Sequence, residues 1–294
     1  MRRPSPVRQQ GFGLLAFVLA TAVVAFSLVV GYSGTMVRQH YNSLQQRNEA
    51  WLKEQEESIR SLWREEAFRI DQASASNPYT VDDILKAASV NLRWEAQARL
   101  SRVLTEGDFS YRVMVLYLPS ESDGSNPPNL AQFELTGVFQ PCGNMAVDCA
   151  PRQFVVISSY ALEKELTREA QARLNKVAYR AQAHFKARML LDPERNVGVN
   201  YFRKPSGSCV ASPADLDCLD TYTPLAAQTP GGWSVSTTAK ALQLTDEELV
   251  SPWGQPVEAS NLLDSETTAP PFTMAFRVPK PAGGYLIAKA VQQL

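Results

Sequence analysis

Few residues in this sequence have the type and spacing that catalysis requires. The chain has only two histidines, His40 and His184, so any Ser-His-Asp or Cys-His arrangement would depend on one of them. His40 lies just beyond a long apolar segment and His184 lies in a segment with helical periodicity, which are ordinary places for an interfacial and a surface histidine. The sequence contains no G-x-S-x-G, S-x-x-K, H-E-x-x-H or phosphate-loop motif. We therefore predict that the protein is not an enzyme and uses no cofactor.

Four cysteines form two local pairs in the sequence, Cys142 with Cys149 and Cys209 with Cys218. In an oxidising compartment, an even number of cysteines at short spacing is typical of disulfides. Four cysteines allow three pairings, and the arrangement with the two local pairs is favoured because closing a short loop costs the least entropy. A zinc site would need C-x-x-C steps or histidines close by, so we predict no metal.

Acidic residues alternate in two short polar segments, SESDGSN from Ser120 and ADLDCLD from Ala214. Oxygen ligands at alternate positions occur in calcium loops, but neither segment has the glutamate that closes an EF-hand loop. We therefore predict solvated turns at both places. The net charge is −1, and the basic residues beyond the N-terminus are scattered, so we predict no nucleic-acid partner.

An apolar segment with no charged residue runs from Phe12 to Met36. Its most apolar part, Phe12 to Val30, has roughly 19 residues, which is close to what a membrane-spanning helix needs and longer than the core of a cleaved signal peptide. Basic residues without any acidic residue precede it, which places the N-terminus in the cytoplasm by the positive-inside rule. We predict a single-pass helix in the cytoplasmic membrane, in contact with lipid and with the remainder outside. Cleavage near Ala20-Thr21-Ala22, a small-x-small site, is the alternative.

Residues 41–71 continue this segment without proline or glycine. Good helix formers dominate them, and apolar residues recur at a helical period opposite a charged face. Glu49 with Lys53 and Glu56 with Arg60 have the spacing and order of favourable helical ion pairs. We therefore predict one helix of about 60 residues, because no strong breaker separates its apolar part from its amphipathic part.

The junction QGFGLLAFVLA resembles the processing site of type IV pilins and pilin-like (pseudopilin) proteins. In these proteins a short basic leader ends in glycine, and the phenylalanine that follows begins a long apolar helix. The resemblance implies cleavage between Gly11 and Phe12 by a prepilin peptidase, with methylation of the new N-terminus. It also implies that the apolar helices of neighbouring subunits pack together in a filament core, with inner-membrane assembly machinery as a further partner.

One position departs from this pattern, because Ala16 stands where most family members carry a glutamate. That glutamate is thought to pair with the N-terminal amine of a neighbouring subunit. Some minor subunits lack it, so the resemblance implies a minor pilin rather than a major one. Gly13, Ala16 and Ala20 share one helix face, and small residues on such a face permit close helix packing.

The remainder of the chain alternates between helical and strand-like segments. Thr80 and Asp83 have the spacing of a capping box, and we predict a second helix over residues 81–104. Three apolar runs predict a meander of antiparallel strands, namely YRVMVLYLP from Tyr111, FELTGVF from Phe133 and FVVISSY from Phe154. A third helix is predicted from Ala161 to Leu191, because its apolar residues recur every three or four positions.

Short strands fill the C-terminal part, at WSVSTTA, PWGQPVEA, FTMAFRVP and YLIAKAVQQL. The order of proline, aromatic residues and glycine there is similar to that in the C-terminal sheet of type IVb-like pilins, where such a turn precedes the closing strands. The predicted fold class is therefore α+β, with a long N-terminal transmembrane helix and a head of antiparallel sheet and further helices.

The predicted organisation has four parts: a cytoplasmic leader (1–11), the transmembrane half of the long helix (12–36), its amphipathic half (37–72) and an extracytoplasmic head (73–294). A further boundary is possible near 193–200, where LDPERNVG breaks the third helix. The predicted function is that of a non-enzymatic pilin-like subunit, a minor or accessory component of a type IV pilus or a secretion pseudopilus, serving adhesion or secretion. The alternative is a permanently anchored periplasmic scaffold of an envelope machine, with no processing of the leader.

Overall fold

The computed structural model describes the backbone of residues 7–72, 78–93, 95–119, 126–143, 153–203, 219–229, 232–261 and 270–293. Side chains are described for these residues except 7–16, 30, 31, 34, 232 and 233. A long N-terminal helix is followed by antiparallel sheets and further helices, so the α+β class is confirmed. The chain divides into two compact units, Met1–Gln55 (the N-terminal unit) and Glu56–Leu294 (the C-terminal unit).

Helix α1 runs from Val7 to Asp71 and contains 65 residues, which confirms the prediction of a single long helix. Within it, Glu66 departs from helical geometry with φ −116° and ψ 18°, so the helix is kinked one turn before its end. In the C-terminal unit, the apolar stripe of α1 is buried: Ile59, Leu62, Trp63, Ala67 and Ile70.

No helix among the described residues combines the length and the apolar character that crossing a bilayer requires. The predicted span, Phe12 to Met36, includes positions 12–16, 30, 31 and 34, whose side chains are outside the described set.

Helix α2, Val81–Ala87, begins at the predicted capping box, in which the Thr80 hydroxyl accepts the N–H of Asp83 and the Asp83 carboxylate accepts the N–H of Thr80. Its predicted continuation to Leu104 is wrong. The helix stops because Ser89 adopts a left-handed φ of 55°, and the chain then enters strand β1, Gln97–Leu100. Alternate residues of β1 are buried, which is the pattern of a strand with one face on the core.

The first sheet has three antiparallel strands in the order β1-β4-β5. Strand β4, Val113–Tyr117, lies in the centre and is buried on both faces, and β5, Phe154–Ser158, pairs with it along its length. A separate hairpin joins β2, Leu104–Glu106, to β3, Phe109–Tyr111. The strands predicted at Tyr111 and Phe154 are therefore confirmed.

The strand predicted at Phe133 is wrong, because Leu130–Thr136 forms helix α3. The Asn129 side chain caps its start by accepting the N–H of Gln132 at 3.0 Å. Gly137 ends it in the left-handed region, with φ 71°, and donates its N–H to the Phe133 carbonyl. These two caps override the strand-like composition between them, and β1 takes the place of the predicted third strand.

Helix α4, Tyr160–Leu191, confirms the third predicted helix. Its buried stripe includes Leu166, Leu174 and Phe185, and these side chains belong to the largest core cluster together with apolar residues of the C-terminal sheet. Ala67 of α1 is part of the same cluster, so the end of α1 packs in the core of the C-terminal unit.

The C-terminal sheet has the order β11-β10-β9-β6. Strands occur in all four predicted segments, but the second half of WSVSTTA forms a helix that begins at the Ser236 cap. The elements are β6 (Thr223–Pro224), β7 (Ala226–Thr229), β8 (Gly232–Val235), α5 (Thr237–Ala241), α6 (Asp246–Leu249), β9 (Glu258–Ser260), β10 (Thr273–Pro279) and β11 (Tyr285–Val291).

Candidate functional site

The N-terminal unit displays a series of exposed apolar side chains along α1. They are between 43% and 71% exposed: Phe17, Val18, Leu19, Val23, Val24, Phe26, Leu28, Val29, Tyr32, Met36, Val37, Tyr41 and Leu44. The hydroxyls of Thr21 and Ser27 bond to carbonyls in the preceding turn of the helix, so these polar groups add little polarity to the surface. An exposed apolar surface of this extent marks contact with protein or lipid.

The predicted processing and packing residues lie on this helix. The backbone of Gly11, Phe12, Gly13 and Ala16 is helical in α1, and their side chains are outside the described set. Ala20 is exposed. The structure therefore places all five on one element, and their roles stay predictions.

Of the four cysteines, Cys142 lies in the described part of the chain. It is buried and disulfide-bonded. Cys149, Cys209 and Cys218 lie outside the described residues, so the predicted local pairing stays a prediction.

The histidines lie apart on two helices. His40 is exposed on α1 and His184 is half-buried on α4. Within the described ranges, no group of three or more His, Cys, Asp or Glu side chains has the arrangement of a metal site. The calcium-like segments from Ser120 and Ala214 lie mostly outside those ranges.

A cluster of buried polar side chains lies in the C-terminal unit, where α1 ends. Asp71, the last residue of α1, is fully buried, and Trp63 donates its indole N–H to Asp71 Oδ1 at 3.3 Å. The second oxygen, Oδ2, has no hydrogen-bond partner among the described residues. Burial raises the pKa of Asp71 to about 7, against smaller opposing effects of the Ser159 hydroxyl, the Trp63 N–H and the nearby Arg112.

Glu163, in the first turn of α4, is the second buried acid of this cluster. Trp253 donates its indole N–H to Oε2 at 3.2 Å, whereas Oε1 has no partner within the described set. Burial raises the pKa of Glu163 to about 8, and the negative charge of Asp71 adds to the effect. A helix N-terminus normally favours a carboxylate, but the loss of solvation outweighs this effect at Glu163.

Arg112 and Ser159 complete the cluster. The Arg112 guanidinium donates to two backbone carbonyls, from Nε to Ser101 at 2.9 Å and from Nη1 to Tyr79 at 2.6 Å. Ser159 occupies the cap position of α4 without capping the helix, and its hydroxyl accepts the backbone N–H of Arg112 at 3.1 Å. A cleft of about 380 Å³ opens beside the cluster and is lined by Trp63 and Ser159, together with Arg60, Arg64, Ile157 and Leu162.

Neither buried acid stands out as a functional residue in the sequence. A signal is nevertheless present, because Glu163 continues the apolar stripe of α4 at the spacing of Leu166 and Ala170. Asp71 follows Ala67 and Ile70 on the buried side of α1 in the same way. An acid inside an apolar stripe predicts burial, but most of the partners that surround it come from distant parts of the chain.

No family model matches this chain, and neither does any curated protein or solved structure.

Proposed function

We propose that the protein is a non-enzymatic, membrane-anchored pilin-like subunit, a minor or accessory component of type IV pilus assembly or of a secretion pseudopilus. The observation that carries the proposal is α1 itself. One helix exposes apolar side chains from Phe17 to Leu44, and its final turns are buried in an α+β unit. A pilin-like subunit needs a helix of this kind, in which one part packs against other subunits and the other part belongs to the folded head.

The charges around the apolar segment of α1 support one orientation of the helix in the membrane. The segment from Phe12 to Met36 carries no charge and follows a basic leader, so the N-terminus stays in the cytoplasm and the C-terminal unit lies in the periplasm. The disulfide at Cys142 supports an oxidising compartment for that unit.

In this mechanism the apolar helix leaves lipid for a bundle formed by the helices of other pilin-like subunits. Lipid and protein interiors are similarly apolar, so close packing decides which environment is favoured. Gly13, Ala16 and Ala20 permit close approach of a neighbouring helix. Because Ala16 removes a carboxylate that would need a partner, the subunit fits a place at the tip or at the start of assembly, where registration with a preceding subunit is not required.

The experiment that tests the proposal reads the mature N-terminus. The chain is expressed with and without a prepilin peptidase, and the N-terminal peptide is identified by mass spectrometry. We expect N-methyl-Phe12 with the peptidase and an intact leader without it.

A pair of glycine variants makes the test specific. Gly11→Val should block processing, whereas Gly31→Val, within the same helix but far from the junction, should be processed normally. An intact Met1 in wild-type protein that reaches the membrane would contradict the pilin-like function. It would support the alternative function, a permanently anchored periplasmic scaffold.

A further inference from the structure

The two buried acids of the C-terminal unit join elements that are far apart in the sequence. Asp71 ends α1, and the Ser110 hydroxyl of β3 donates to its backbone carbonyl at 2.6 Å. Glu163 lies in the first turn of α4 and accepts the indole N–H of Trp253 from the turn before β9. Ser159, the residue before α4, neighbours the Asp71 side chain, and the charge of Asp71 acts on Glu163. The end of α1, the start of α4, the β3 strand and the Trp253 turn therefore meet at one place.

Negative charge exceeds positive charge around Asp71 and Glu163 when both acids are ionised. Arg112 is the one cation whose charge acts on Asp71 among the described residues. Its Nε and Nη1 already donate to the carbonyls of Ser101 and Tyr79. The other groups that face the acids, the two indoles and the Ser110 and Ser159 hydroxyls, are uncharged. As far as the described part of the chain shows, two carboxylates would therefore share one cation, and each would keep a buried oxygen without a donor.

We propose that Asp71 and Glu163 form a pH-dependent latch that holds the end of α1 against the start of α4. The contact is strong while both side chains are protonated, and it weakens as they ionise. This inference concerns the C-terminal unit and does not depend on the proposed function.

The direction of the pH effect follows from the linkage between protonation and folding. In the folded protein the pKa values are raised, to about 7 for Asp71 and about 8 for Glu163. When the latch opens, both acids regain solvent and their pKa values return toward their ordinary acidic range. The stabilisation is therefore complete at low pH, decreases as pH rises above that ordinary range, and is lost above about pH 8.

The cleft lined by Trp63 and Ser159 supplies the path for protons. Both residues are direct neighbours of Asp71, so solvent in the cleft lies one side chain away from its carboxyl group. Equilibration with bulk pH therefore does not require unfolding of the unit.

The test uses the full-length chain in detergent micelles and follows thermal unfolding by circular dichroism between pH 5 and pH 9. For the wild type we expect Tm to decrease by roughly 5 °C or more from pH 5 to pH 8 and then to level off. For the double variant Asp71→Asn with Glu163→Gln, Tm should stay nearly constant over this range. The amides keep an acceptor for each indole and cannot ionise.

Matched controls neutralise exposed acids on the same two helices. Glu65→Gln on α1 and Glu165→Gln on α4 should keep the wild-type pH dependence. The latch is overturned if wild-type Tm is constant from pH 5 to pH 8, or if the double variant shows the same decrease as the wild type.

If the double variant does not fold, amide hydrogen exchange on the wild type alone tests the latch. After correction for the intrinsic effect of pH, exchange of residues 67–71 should accelerate by about tenfold per pH unit for each group that ionises, between pH 5 and pH 7. Corrected rates that do not change with pH would contradict the latch.

Discussion

At the scale of single residues, three acids among the described residues of the C-terminal unit are almost fully buried, and their neighbours set their charge. Glu248 is bound by two cations, Lys176 at 2.9 Å and Arg180 at 3.1 Å, and it accepts the N–H of Thr245 at the start of α6. Burial alone would raise its pKa, but this N–H and the two cations lower it below its ordinary range. Asp71 and Glu163 lack such compensation, and burial dominates.

Replacing Glu248 by glutamine should destabilise the protein by about 1–3 kcal/mol at pH 7, because the bonds to Lys176 and Arg180 lose their charge. The folded-state pKa is lowered, so the stabilisation is present above the ordinary glutamate range and is lost as pH falls through the folded pKa. The difference between variant and wild type should therefore shrink in acid. Urea unfolding at pH 7 and at pH 4 measures it.

Glu247 provides the control for this variant, because its side chain is exposed on the same helix. Glu247→Gln should unfold within about 0.5 kcal/mol of the wild type. Equal effects at positions 247 and 248 would show that the ion pairs at Glu248 contribute nothing of their own.

At the scale of secondary structure, Gly137 shows how one position decides the type of an element. It has a left-handed φ of 71° and ends α3. A Cβ atom at this position would lie 2.7 Å from Leu104 Cδ1 and 2.8 Å from Val113 Cγ2. The short helix therefore requires glycine for its conformation and for its close contact with β2 and β4.

Gly137→Ala should cost about 2–4 kcal/mol, the sum of left-handed strain and overpacking. Gly107→Ala is the matched control, because Gly107 has a similar φ of 61° but no atom within 4 Å of the added Cβ. It should cost about 1 kcal/mol. Guanidinium unfolding of both variants separates the two terms, and equal losses would mean that Leu104 and Val113 move aside freely.

Periodicity made the long helices predictable. The stripes of α1 and α4 repeat over many turns, so a few irregular positions do not obscure them. FELTGVF is too short for its pattern to distinguish a strand from a buried helical turn, and the caps at Asn129 and Gly137 decide in favour of the helix. The end of α2 is not predictable for a related reason: the residues after it are good helix formers, but Gln97–Leu100 pair with β4 instead.

The acid cluster could not be predicted because most of its contacts join distant segments, although the bond from Trp63 to Asp71 lies within α1. Asp71, Glu163 and Trp253 come from three distant segments, and local patterns contain no information on which of them meet. The capping box at Thr80, in contrast, lies within a single turn and was predictable from two residues.

At the scale of the whole molecule, the exposed apolar part of α1 and the fold of the C-terminal unit should respond independently to substitution. Val24→Lys places a charge in the centre of the apolar segment and should oppose membrane insertion by about 2.5–3.5 kcal/mol. We expect the variant to shift from the membrane fraction to the soluble fraction or to be degraded. The thermal unfolding of residues 56–294, measured on any protein recovered in detergent, should be unchanged.

Val24→Leu is the control, because it keeps the apolar character and should remain in the membrane fraction. If the lysine variant fractionates like the wild type, α1 is not a membrane anchor, and its apolar surface binds protein instead.

The kink at Glu66 has a mechanical consequence for a helix of this length. A pull along α1 is transmitted through the hydrogen-bond ladder of the helix. The ladder is weakest where Glu66 leaves helical geometry, so tension should extend the helix there first. The five residues beyond Glu66 are anchored by the Ser110 hydroxyl at the Asp71 carbonyl, so they would stay in place while the helix extends at Glu66. The kink would therefore protect the fold of the C-terminal unit from tension on α1.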